Sequence, residues 1–271
     1  MASRTLRLLS TAGISLSLGV ASLLGATVAA AALQSGIVPP NNPPKSLPPM
    51  PNFFQSQKCD RRPDASVGCD SLVLKAIDNA RSKEHVGPMR FNLAAFRSLT
   101  PPEQLFVTVD LERTNRGLPP VEGLTSQLNT IAWKAARAGV DPLLPSLPYP
   151  LSGGGTAAGF GGNWAGGNVN VLGSDYGWMY DDGPHSPNLD CPKAGDPGCW
   201  GHRDNILSDK RTQNWGNPAY CGGAYHFVMG AGSTKSVAGW NPSQTELLVL
   251  DCGKAPTEYF TWAQAKKLLG I

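Results

Sequence analysis

Cys199-Trp200-Gly201-His202-Arg203-Asp204-Asn205-Ile206-Leu207 places one imidazole, one guanidinium and a carboxamide beside a glycine and just before an apolar pair. That combination suits the floor of a polar cleft, with Ile206 and Leu207 assigned to the core. His202 has two readings at this point. It is either a neutral imidazole at a helix start, bonded to backbone and packing Trp178 or Trp200, or a side chain facing a ligand. Arg203 also has two, pairing with Asp204 or contacting an anionic ligand.

Outward from this stretch, Thr100-Pro101-Pro102-Glu103 predicts a helix start. The Thr hydroxyl can cap, Glu103 can reach back, and Pro101 loses no needed donor. Leu105, Phe106 and Val109 then form a stripe, which Gly117 and Pro119 stop. Thr125 opens a second helix whose Leu128, Ile131, Ala132, Ala135 and Ala136 follow one face until Gly139. From Val140 to Gly173 glycines and prolines show no period, which predicts a cleft-lining loop or short strands without a legible pattern. Ser174 is the expected cap of a short helix through Trp178. Ala224 to Ala231 and Thr245 to Leu250 are the expected strands, and the tail from Thr261, with Trp262, Ala265, Leu268 and Leu269, reads as a closing helix.

The first hundred residues have a different character. Arg4 and Arg7 precede an apolar run from Leu8 to Ala32 that ends in small residues, the pattern of a cleaved signal peptide; an uncleaved anchor is the alternative. Prolines crowd Leu33 to Lys58 and predict an extended, semi-rigid linker. Ser71 to Lys83 carries Leu72, Val73, Ala76, Ile77 and Ala80 at helical spacing behind Asp70 and Ser71 as candidate caps.

Removing Arg4 and Arg7 from 23 basic residues leaves 21 against 20 acidic ones, so charge implies neither a nucleic-acid partner nor an anionic membrane surface. No segment after the leader is apolar and long enough to span a membrane. Six cysteines, all beyond the leader, fit an oxidising compartment. Local closure favours Cys59 with Cys69 and Cys191 with Cys199, leaving Cys221 with Cys252. No Cys-x-x-Cys pair favours zinc.

The Gly-His-Arg-x-Asn-Ile-Leu core at 201–207, with Trp178-Met179 upstream, resembles the second histidine motif of the CAP superfamily (cysteine-rich secretory, antigen 5 and pathogenesis-related-1 proteins), especially its bacterial branch. Leu111 to Pro120 resembles the first-helix signature of that branch. The resemblance implies an α+β fold, a three-layer α-β-α sandwich with Gly/Pro-rich loops. The division it suggests is 1–32 signal peptide, 33–58 linker, 59–99 small helical extension, 100–254 CAP-like domain and 255–271 C-terminal helix.

CAP domains carry a cavity resembling a metal site of two histidines and two acids, and the chain keeps only part of it. His202 matches the second histidine, and Asp181 falls where many relatives place a glutamate. Gly161-Gly162-Asn163 appears in place of Gly-Glu-Asn, followed by Trp164, and the histidine after the second helix is missing. The usual tetrad is therefore incomplete. The inserted Asp181-Asp182-Gly183-Pro184-His185 offers another set, Asp181, His185 and His202, for a divalent metal such as zinc, although such a run is also an ordinary turn.

Trp164, Trp178, Trp200 and Trp215 are candidates for stacking on sugar rings, or for packing in a Gly-rich domain. No Gly-x-Ser-x-Gly elbow or His-Glu-x-x-His helix is present. His226 reads as a satisfied strand residue. The leading expectation is a secreted, non-catalytic binding module for an envelope glycan, lipid or peptide. Asn163, Trp164, Trp200 and Arg203 are its candidate ligand contacts, beside Asp181 and His202. The alternatives are a cell-wall polymer hydrolase using His202 and Asp181 as base and orienter, and a structural envelope protein.

Overall fold

Thr100 and Thr125 both begin helices, and between and after them six strands build one mixed sheet. A computed structural model describes residues 57–59, 61–184, 186–209, 215–235, 237 and 239–271. The expected signal peptide and nearly all of the expected linker lie outside the described residues.

The helices are α1 (Val67–Lys83), α2 (Leu93–Ser98), α3 (Pro101–Thr114), α4 (Ser126–Ala138), α5 (Val171–Tyr180), α6 (Gly201–Ile206) and α7 (Trp262–Leu269). The strands are β1 (Gly123–Leu124), β2 (Tyr149–Pro150), β3 (Gly155–Gly166), β4 (Tyr225–Thr234), β5 (Ser243–Gly253) and β6 (Phe260–Thr261). They lie in the order β2-β3-β5-β4-β1-β6. β1 and β4 run parallel and the other neighbours antiparallel.

Local chemistry explains the helix ends. The Glu103 carboxylate accepts from the Thr100 amide and hydroxyl, each at 2.7 Å, and closes the start of α3. Thr125 Oγ1 accepts from the Leu128 amide at 3.2 Å, and α4 stops at Gly139, which adopts φ 71°. Thr261 and Gln264 form the same kind of reciprocal cap on α7. Two helices start earlier than the sequence predicts. α1 is capped by Ser66 rather than Asp70 or Ser71, and α5 by Asn170, whose Oδ1 accepts from the Gly173 amide at 2.9 Å, rather than by Ser174. In both, a polar side chain one turn upstream reaches the first free amides before the expected cap can.

Helices cover both faces of the sheet. Leu128 and Ala132 of α4 bury Val228, Leu247 and Val249 on one face. Phe106 and Val109 of α3, Met179 of α5 and Ile206 of α6 share the other with Met229, Ala231 and Leu248. Val228 and Met229 are adjacent, so strand alternation alone sends them to opposite cores. Each fully buried apolar side chain contributes about 2 kcal/mol. The α4 approach requires glycine: a Cβ on Gly230 would lie 2.2 Å from the Leu128 carbonyl carbon. Phe106 meets Phe260 and Trp262 edge-on, with ring centroids 5.8 and 6.3 Å apart, and so docks the closing helix.

Two expectations are corrected. Within the stretch expected to be a loop, Gly155–Gly166 forms a 12-residue strand whose residues alternate between buried and half-buried. Its buried face carries only Gly, Ala and Asn, which show no hydrophobic period, and its glycines are demanded by neighbours. A Cβ on Gly161 would lie 2.4 Å from the Trp215 indole nitrogen. The segment 59–99 adds to the main core: Val73 and Ile77 pack in the same cluster as Phe106 and Met179. Arg81, fully buried, pairs with Glu112 at 2.8 Å. Disulfides join Cys59 to Cys69, Cys191 to Cys199 and Cys221 to Cys252, as local closure predicts. No helix among the described residues is long and apolar enough to cross a membrane.

Candidate functional site

The stretch 199–207 forms the floor of a cleft, and the reason begins at Trp200, which adopts a left-handed φ of 65° and turns the chain into α6. Its ring is buried against Gly183, where a Cβ would lie 2.4 Å from it. The next residue but one, His202, is then held from two sides by Asp182. Oδ2 accepts from the His202 amide at 3.0 Å, and Nδ1–H donates to Oδ1 at 2.6 Å. Asn188 Nδ2 donates to the same Oδ1 at 2.7 Å and fixes the carboxylate.

The carboxylate beside the imidazole is therefore Asp182, and the expected pairing of His202 with Asp181 is corrected. Asp181 is the C-cap of α5, its amide donating to the Gly177 carbonyl at 3.1 Å. Asp181 lines the cleft with Tyr176, whose phenol is pushed up by burial and then by the Asp181 charge. Asp182, one residue on, is carried across to α6, and its carbonyl accepts from the Trp200 amide at 3.0 Å.

Across the cleft, Asp141 Oδ1 lies 3.7 Å from His202 Nε2. Burial pulls the imidazole toward neutrality, but the bonds and charges of Asp141 and Asp182 outweigh it and raise its pKa to about 10. His202 is thus an imidazolium at neutral pH. Beneath it, Glu246 is raised to about 8 by burial, which its bond from Asn163 and the charge of His202 only partly offset. It is a neutral acid at pH 7.

The cleft has a volume of about 330 Å³. Trp164, Trp178, Tyr176 and Trp240 form its aromatic wall, and Asp141, Asp181 and Asp190 face it with His202 and Asp182. Trp164 meets Trp240 edge-on at 6.2 Å, and its indole N–H donates to Ser243 Oγ at 2.8 Å. Trp178 donates to the Trp164 carbonyl at 3.0 Å.

Three of the expected ligand contacts lie elsewhere. Asn163 is fully buried, donating to the His202 carbonyl at 3.0 Å and to Glu246 Oε1 at 2.8 Å, so it supports the floor from below. Arg203 is fully buried and donates to the Met179 carbonyl at 2.6 Å and to Glu84 Oε2 at 2.7 Å, away from the cleft. An anionic ligand cannot reach it. Trp200 is packed in the core, and Trp215 packs on Phe227 at 6.2 Å. His226 Nδ1 bonds Glu122 at 2.8 Å, the satisfied strand residue expected.

Of the expected metal set, His185 lies outside the described residues. The group that geometry assembles is Asp141, Asp190 and His202, whose ligand atoms lie within 4.8 Å of one another. One imidazole and two carboxylates suit zinc, but the clamped imidazolium must first release its proton. Sequence reasoning missed Asp141, Asp182, Asp190 and Trp240. Only Asp182 had a signal, its place in an Asp-Asp-Gly turn; the others come from loops brought together by the fold. No known family, curated protein or solved structure matches the chain.

Proposed function

We propose that the chain is an extracytoplasmic, CAP-like binding module that holds an envelope ligand in the cleft above His202, without turning it over. The family assignment rests on the motifs at 111–120 and 201–207. Helices on both faces of a mixed sheet support it. Three disulfides support an oxidising compartment.

The observation that carries the non-catalytic reading is the imidazolium. A general base needs a free lone pair near neutral pH, whereas Nδ1 of His202 is bonded to Asp182, Nε2 lies 3.7 Å from the Asp141 carboxylate, and the two charges raise the ring's pKa to about 10. Such a group orients and neutralises; it does not abstract. That weighs against the hydrolase reading, whose proposed orienter, Asp181, does not touch the ring.

Gly177 provides the test. It lines the cleft on α5, and a Cβ there meets nothing closer than 3.7 Å, so α5 accepts a side chain at this position and Gly177→Leu is the variant chosen to fill the cleft. Wild type should cosediment with isolated cell envelopes and Gly177→Leu should not. Equal binding by the two proteins rules out the cleft as the binding site, and release of soluble wall fragments by wild type but not by His202→Ala would establish the hydrolase.

A further inference from the structure

The aromatic side chains of the cleft are set by their own hydrogen bonds, which limits what they offer a ligand. The indole N–H groups of Trp164 and Trp178 are spent on Ser243 Oγ at 2.8 Å and on the Trp164 carbonyl at 3.0 Å, and both rings are thereby fixed. Trp164 and Trp240 stand at 84° to one another with centroids 6.2 Å apart, and Trp240 is 44 % exposed. They form an apolar corner at the mouth. Val140, Pro187 and Leu189 complete the rim, and Leu189 is 76 % exposed. Exposed apolar side chains gathered around a cleft mark a docking surface.

Three classes of occupant fit this surface poorly. A sugar's hydroxyls find no partner on an aliphatic rim, and an acyl chain meets the ionic floor of Asp182 and His202. A peptide adding as a strand needs an open edge. Here the carbonyls of Gly162 and Trp164 on β3 already accept from Asn205 at 3.1 Å and Trp178 at 3.0 Å. A proline-rich sequence needs no edge. Its rings pack on aromatic faces, and its restricted backbone loses little entropy on binding.

Such a sequence lies in the chain itself. Seven of the thirteen residues from Pro39 to Pro51 are proline, and Lys45 is their one charge. The cleft lining has aspartates and no lysine or arginine among the described residues, so the signs match. The described residues begin at Gln57, and the chain from there runs beside the cleft. Cys59 is tied to Cys69, whose Sγ lies 3.8 Å from Asn170 Nδ2. Asp64 bonds Val169 at 2.6 Å and Asn170 at 3.0 Å, and Asn168 lines the cleft. The stretch from Pro49 to Gln57 can reach about 25 Å, at about 3.1 Å per residue.

From this apolar corner, and from the place where the proline-rich sequence joins the fold, we infer that residues 39–51 dock their proline pairs in the cleft of the same chain. So short a tether gives an effective concentration on the order of mM, and even weak docking then keeps the cleft largely filled. An envelope ligand must displace the segment. That competition rests on the binding-module reading; the docking does not.

The test places a benzophenone side chain at Leu189, and separately at Val140, in the full disulfide-bonded chain and maps the photo-cross-links by mass spectrometry. They should fall on residues 39–51 and be lost when Pro43, Pro44, Pro48 and Pro49 are all replaced by alanine. In a mixture of isotopically light and heavy chains, they should join residues of one label only. Cross-links that fall elsewhere, or survive the four alanines, overturn the proline assignment, and mixed-label products that grow with concentration overturn docking within one chain. In the envelope sedimentation assay the four-alanine chain should bind about tenfold more tightly than wild type, because an intramolecular competitor is released. Equal binding sinks the competition. If the cross-links form and Gly177→Leu leaves envelope binding unchanged, the module reading falls and the docking stands. If envelope binding responds to Gly177→Leu and no cross-link reaches 39–51, the docking falls and the module stands.

Discussion

Glu84 Oε2, at the end of α1, lies 2.7 Å from Arg203 Nη2, so a residue of the N-terminal segment anchors the helix that presents His202. The same oxygen lies 2.9 Å from Arg116 Nη2. Glu84→Ala leaves Arg203 fully buried without this charge partner. The expected loss of stability is about 3 kcal/mol, read from urea midpoints, because breaking a buried ion pair by removing one partner is costly. Glu84→Gln, which keeps the acceptor, should lose less. Unchanged midpoints for both would show that the segment does not support the site.

The clamp on His202 has a direct signature. Its imidazole carbon and nitrogen resonances should stay those of a protonated ring through neutral pH and titrate at about 10. Asp182→Asn should move that titration down by more than about one unit, since a paired charge and its bond are both lost. Titration of the wild-type ring near its ordinary value of 6.5 would contradict the reading that His202 cannot act as a base.

Stability should fall as pH rises. Glu246 is raised from 4.5 to about 8, so the folded chain holds a proton that the unfolded chain releases, and this contribution is complete below 4.5 and lost by about 8. His202, raised from 6.5 to about 10, extends the decline over that higher window. The melting temperature should therefore be higher at pH 5 than at pH 9. Glu246→Gln, an isostere of the neutral acid that can still accept from Asn163, should keep the acid-side stability and flatten the curve below pH 8. A bell centred on neutral pH for both proteins would refute this.

Gly230→Ala should destabilise the fold by about 3 kcal/mol or prevent folding, because its methyl group meets the backbone of α4. Gly222→Ala makes no contact within 4 Å but sits at φ 62°, so its cost should be smaller, about 1 kcal/mol. Comparable thermal shifts for the two would show that α4 can retreat from the sheet.

The amino-acid order by itself determined the elements whose signals are local: the Thr100 and Thr125 caps, the Gly139 stop, the closing helix after Thr261 and the three cysteine pairings. Each depends on a few neighbours in the chain, or on an even count closed at short range. β3 stayed hidden because its glycines answer to Trp215, Asn205 and Pro142 rather than to any pattern of their own. The site was legible in His202 and Trp164 and misjudged in Asn163, Trp200 and Arg203. A polar or aromatic residue next to a cleft residue can face it or turn beneath it, and rotation about the helix and the partners waiting below decide which. Asp182, Asp141 and Asp190 reach the imidazole from just past the end of α5, the loop after α4 and the residue before the Cys191–Cys199 loop. Only tertiary packing brings three such segments together, since no local interaction couples them.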